Sequence, residues 1–175
     1  MNYNTKQRIK TILFLLAVAA MVTITIVLAV NLCRGEETLA TVYAMCKPGS
    51  HVTIRMTPSK DGVEAGRLDC GDSFQTDAET RDGWLRCYGA GEGGWVYLGY
   101  VATEPVQAVG QRYVCVAKKQ VACRRWINGP QIEDNKGRRQ WLKNGQTCEV
   151  FVTDGEWAVT SRGYIKIEYL DPDPE

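Results

Sequence analysis

The 175-residue chain has one histidine, three phenylalanines and no Cys-x-x-Cys pair. With a single imidazole, zinc would need an irregular set of thiolates, so metal ligation is not expected. His51 is the only candidate for an imidazole general base, and no nucleophile motif accompanies it. Nucleophilic catalysis needs a base within about 3 Å and a third group to orient it, so no enzymatic activity and no cofactor are expected. Charge of one sign is also lacking. Lys and Arg total 21 against 20 Asp and Glu, a formal charge of +1, which excludes the basic excess of a dedicated nucleic-acid binder.

What the chain does have is 17 glycines, five tryptophans and eight tyrosines. That composition reads as short strands and tight turns with aromatic residues carrying much of the burial, an all-β fold. One segment departs from it. From Thr11 to Val30 no charge occurs, and a helix of that length spans the roughly 30 Å hydrocarbon core. Lys6, Arg8 and Lys10 precede it, whereas Arg34 on the far side is offset by Glu36 and Glu37. The positive-inside bias then leaves residues 1–10 cytoplasmic, 11–33 as a single transmembrane α-helix, 34–39 as a juxtamembrane linker, and the rest outside the cell. A cleaved secretory signal is the competing reading, but the apolar run exceeds the usual 7 to 15 residues.

The remainder contains an internal repeat. At a shift of 69 residues Cys46 meets Cys115, Val52 meets Val121, Ile54 meets Cys123 and Arg55 meets Arg124. The same shift lays Gly94-Trp95-Val96-Tyr97-Leu98-Gly99-Tyr100-Val101 over Gly163-Tyr164-Ile165-Lys166-Ile167-Glu168-Tyr169-Leu170. Between these ends the insertions and deletions fall in Gly-, Pro-, Asn- and Asp-rich stretches, where loops vary. Within each copy the pattern alternates: Cys148, Val150 and Val152 face one way, Thr147, Glu149 and Phe151 the other. Asp82-Gly83 and Asp154-Gly155 turn the chain into strands opened by Trp84 and Trp157.

These motifs resemble those of the bacterial SH3 domain, a module of bacterial surface and secreted proteins. The first copy supplies Val52-Thr53-Ile54-Arg55, Gly71-Asp72-Ser73-Phe74, Asp82-Gly83-Trp84, and Gly94-Trp95-Val96 with Tyr100-Val101. The second supplies Val121-Ala122-Cys123-Arg124, Gly145, Asp154-Gly155-Glu156-Trp157, and Gly163-Tyr164-Ile165 with Tyr169-Leu170. It departs from the pattern at Glu156, Tyr164 and Cys123. The resemblance implies two tandem small SH3-like β-barrels, at 40–103 and 112–171, joined by a linker at 104–111 and ending in an acidic tail at 172–175. It also implies attachment to peptidoglycan or its peptide stems. The alternative is a protein-interaction scaffold subunit of a cell-envelope, conjugation or secretion complex.

Seven cysteines stand at 33, 46, 70, 87, 115, 123 and 148. Outside the cell, disulfides are the natural reading. Cys123 and Cys148 replace Ile54 and Phe74 of the first copy together, so they are either a disulfide or two small buried thiols. Cys70 with Cys87 is a weaker pair, and Cys46 and Cys115 would meet across the domain boundary. Cys33 is left over.

Trp126 and Trp141 lack aromatic counterparts in the first copy and flank the loop 127–140. With Arg124, Arg125, Arg138 and Arg139 nearby they would either line a groove for an anionic or peptide ligand or simply cover a small core. Residues 33–105 hold seven basic and eleven acidic side chains, and 106–175 hold eleven and nine. Such asymmetry would serve docking of one copy on the other, or attraction of the second copy to an anionic wall polymer.

Overall fold

The computed structural model describes residues 39–89 and 93–174. The expected cytoplasmic N-terminus, the membrane helix at 11–33, all but the last residue of the 34–39 linker, and Glu175 of the tail lie outside the described residues. Among the described residues, no helix is long and apolar enough to cross a membrane. The fold there is all-β.

In the first half run β1 (Ala40–Ala44), β2 (His51–Arg55), β3 (Glu64–Asp69), β4 (Ser73–Thr76), β5 (Thr80–Arg81), β6 (Trp84–Cys87), β7 (Gly94–Tyr97) and β8 (Val101–Ala102). In the second run β9 (Gln107–Cys115), β10 (Gln120–Ala122), β11 (Trp141–Lys143), β12 (Thr147–Thr153), β13 (Trp157–Thr160), β14 (Gly163–Lys166) and β15 (Leu170–Pro172). One 3-10 turn precedes the last strand of each half, at Leu98–Tyr100 and Ile167–Tyr169. The sheets are ordered β4-β1-β8 and β3-β2-β7-β6-β5 in the first half, and β10-β11 and β14-β13-β12-β9-β15 in the second.

The same rungs recur in both halves. Val52 faces Leu68 as Val121 faces Leu142, and Arg55 faces Trp95 as Arg124 faces Tyr164. Trp84 faces Tyr97 as Trp157 faces Lys166, and Ala44 faces Val101 as Cys115 faces Leu170. The last pair corrects the sequence alignment. Cys115 takes the place of Ala44, not of Cys46, because the connection from the first strand to the second is two residues longer in the first half. Cys46 therefore belongs to the first core and Cys115 to the second, and the two do not meet.

Local chemistry explains the elements. In β2 Val52 and Ile54 are buried while His51, Thr53 and Arg55 point away, the alternation of a half-buried strand. Asp82 and Gly83 take positive φ of 51° and 82°, as a two-residue hairpin turn between β5 and β6 requires. Asp154 caps the corresponding longer loop by accepting from the Glu156 and Trp157 backbone N–H groups at 2.9 and 2.6 Å. The extra Glu156 is accommodated inside that turn. β9 begins at Gln107, inside the stretch expected to be linker, and pairs with β12 through a register shift between Val150 and Val152. The connection between halves thus shrinks to a few residues around Pro105.

Three apolar layers result. One lies within the first half around Ile54, Phe74 and Val96. A second lies within the other half around Leu142, Val150 and Ile165. Full burial of side chains such as Ile54 and Ile165 contributes about 1.5–3 kcal/mol each. The third joins the halves: Met45 and Ala102 pack with Val152, Trp157, Val159 and Tyr164. All four residues of β13 are buried, since Ala158 faces the second core while Trp157 and Val159 face the shared layer. The Tyr164 phenol donates to the Met45 carbonyl at 2.8 Å, and Ile127 N–H donates to the Gly99 carbonyl at 3.0 Å. Opposite charge makes no direct ion pair between the halves among the described residues.

Candidate functional site

The outward face of β2, the β7 strand and the 3-10 turn after it enclose a groove of about 280 Å³. Its aromatic wall is Trp84, Tyr97 and Tyr100, with Trp126 reaching in from the second half, and His51, Arg55 and Lys60 supply basic groups. Tyr97 sits edge-on to Trp84 at 5.5 Å between ring centroids and to Trp126 at 5.3 Å. Tyr100 lies 6.4 Å from Trp126. Such edge-to-face contacts fix ring orientation and leave part of each face open to a ligand. Burial, and after it the neighbouring Tyr97, hold the Tyr100 phenol above its ordinary pKa, so it remains a hydrogen-bond donor. Arg55 Nη1 donates to the Gly62 carbonyl at 2.7 Å, which ties the loop between β2 and β3 to the groove.

Trp126 is held by its surroundings. A Cβ on either Gly99 or Gly129 would overlap its indole. Only glycine allows this approach, so the second half closes the first half's groove.

The equivalent positions of the second half form a larger, more open groove of about 810 Å³. Here Val121, Arg124, Trp157 and Tyr169 stand where Val52, Arg55, Trp84 and Tyr100 stand in the first. Arg124 Nη1 donates to the Gly129 carbonyl at 2.7 Å, repeating the Arg55 clasp. Two differences change the chemistry. Lys166 replaces Tyr97, with its Nζ 5.6 Å from the Trp157 ring and 3.1 Å from a Glu156 carboxylate oxygen. That carboxylate raises the Lys166 pKa, so the side chain stays charged. Lys118 and Lys119 add exposed positive charge at the rim. The first groove is thus chiefly aromatic and the second basic.

The six residues singled out from the sequence do not form one site. Trp126 enters the first groove and Arg124 the second. Arg124, Arg125, Trp126 and Arg139 also border a shallower concavity of about 540 Å³, where Arg139 lies 3.5 Å from Glu133. Arg138 points away, paired with Asp134 at 2.7 Å. The Arg138 backbone N–H, then its guanidinium, lower the Asp134 pKa. Trp141 on β11, 41% exposed, pairs with Ala122 of β10 and lines none of these hollows. Tyr97, Tyr100, Lys166 and Tyr169 line the two grooves and were not among the residues singled out from the sequence. The repeat places them in register, but Tyr100 and Tyr169 stand in the 3-10 turns that follow β7 and β14, which the sequence pattern does not mark.

Among the described residues the six cysteines are free thiols, Cys46, Cys70 and Cys87 in the first half and Cys115, Cys123 and Cys148 in the second. Cys70 follows Asp69, the partner of His51, whereas Cys87 pairs with Gly94, next to the partner of Arg55. They stand at opposite ends of β2, about 13 Å apart at strand rise, which is too far for a disulfide. The neighbour of Cys70 is Cys46. Cys123 and Cys148 lie in the second core together with Cys115, and all are thiols. Burial pushes Cys148 up to about 11. Among the described residues no three His, Cys, Asp or Glu side chains gather as a metal site.

No family model and no curated protein matches the chain. Among solved structures, NlpC2 from Trichomonas vaginalis is similar to it at 10% identity and a TM-score of 0.31, over 78% of this chain and 49% of that one. The chain spans about half the length of that structure.

Proposed function

We propose that the chain is a membrane-anchored, extracytoplasmic binding protein made of two tandem SH3-like β-barrels, which hold peptidoglycan through its peptide stems. The observation that carries this reading is the recurrence of one groove at equivalent positions of the two halves, each with a tryptophan, a tyrosine and an arginine on its wall. An aromatic wall with a few convergent polar groups suits an extended peptide, whose apolar groups pack on the rings while its carboxylates meet positive charge. The basic second groove is the one that takes the anionic part of the polymer.

Two linked weak sites reinforce each other when both reach the same polymer, by effective concentration rather than by new contacts. Co-sedimentation of the detergent-solubilised full chain with purified peptidoglycan tests the proposal. Pelleting is expected, with loss of at least tenfold in affinity for the double variant Tyr97→Ala, Lys166→Ala and no change for Arg138→Ala, which lies outside both grooves. A chain that stays in the supernatant would instead favour the scaffold reading.

A further inference from the structure

Two turns of the first half, the one leaving β1 and the one leaving β3, meet at a pair of thiols. Gly71 N–H donates to the Ala44 carbonyl at 2.8 Å and draws the turns together. Next to that bond the Cys70 Sγ donates to the Cys46 carbonyl at 2.7 Å, and the Cys46 Sγ donates to the Ser50 carbonyl at 3.5 Å. Cys46 is buried, 6% exposed, and Cys70 is partly open to solvent. Met45, between them and the second half, is fixed on both sides: its N–H donates to the Tyr100 carbonyl and its own carbonyl accepts from Tyr164, each at 2.8 Å.

We propose that Cys46 and Cys70 are a disulfide-forming pair, with Cys70 the attacking and Cys46 the resolving thiol. In the first step the Cys70 thiolate attacks an external small-molecule disulfide, forming a mixed disulfide and releasing one thiolate. In the second, Cys46 gives up its proton and attacks the Cys70 sulfur, expelling the second thiolate. Two protein thiols lose two electrons and two protons, and the external disulfide gains them as two thiols.

The surroundings favour that order. As a thiolate Cys70 accepts from the Cys46 thiol, which outweighs the opposing effects of burial and of Asp72 and brings its pKa down to about 6. The same hydrogen bond, with burial and the nearby Asp69 and Asp72, pushes Cys46 up. Burial pushes Cys87 up to about 11, so it remains a thiol.

The bond would tie the Met45 turn to the end of β3 at the edge of the shared layer. Treatment of the reduced full chain with oxidised glutathione, acid quench and peptide mapping without reduction tests this. A peptide linking Cys46 to Cys70 is expected, with no glutathione retained. In Cys46→Ser a glutathione adduct should persist on Cys70, whereas in Cys70→Ser Cys46 should stay unmodified. No 46–70 linkage in the wild-type chain, or an adduct on Cys46 in Cys70→Ser at the wild-type rate, would overturn the assignment.

Discussion

Tyr97 and Lys166 occupy the same rung of the two repeats, opposite Trp84 and Trp157. In the first half the phenol ring meets the indole edge-on, and in the second an ammonium lies over the indole instead. This rung is one of the positions at which the aromatic groove and the basic one differ.

Exchange at that rung should change the electrolyte sensitivity of binding more than its strength. For Lys166→Tyr, peptidoglycan binding measured across a salt series is expected to fall less steeply with ionic strength than for the wild type. An unchanged slope would mean that Lys166 contributes no charge to binding.

The Tyr164–Met45 hydrogen bond is buried between the halves, so losing the phenolic hydroxyl leaves a carbonyl unpaired. Tyr164→Phe should lower stability by about 1–3 kcal/mol in urea unfolding. A cost near zero would show that water replaces the phenol there.

Trp126 anchors the second half against Gly99. Gly99→Ala forces the indole or the backbone to move and is expected to cost about 1–3 kcal/mol. Trp126→Ala removes the same contact by truncation, and the double variant should cost less than the sum of the singles, because the alanine no longer meets an indole. Additive costs would place the two residues out of contact.

The thiols offer a pH test in the reduced protein. Cys70 has a folded pKa of about 6, below the ordinary 9.0 of a thiol, so its ionisation stabilises the fold at pH above the ordinary value and that contribution is lost as pH falls through about 6. Its alkylation rate should rise with a midpoint near pH 6, and Cys46→Ala should move the midpoint up by removing the donated hydrogen bond. Cys87 and Cys148 should stay unlabelled until the protein unfolds. A Cys70 midpoint near the ordinary thiol value would remove the thiolate-stabilising role given to Cys46.

The all-β class, the duplication and the Asp82-Gly83 turn were legible in the residues themselves, because period-two burial and turn chemistry are local properties. Along β12, by contrast, the register shift after Val150 turns Val152 to the shared layer while Cys148 and Val150 face the second core. Tertiary pairing decided the rest. The match of Cys46 to Cys115 failed by two residues because only strand register counts a lengthened connection, and Cys46 found Cys70 because a backbone bond from Gly71 to Ala44 closes two turns on each other. Trp126, read as the border of a loop, became the wall of the other half's groove, since Gly99 leaves room for an indole that no linear pattern marks. Spacing along a chain reveals which residues share a face, whereas the company that face keeps is set by close packing across distant segments.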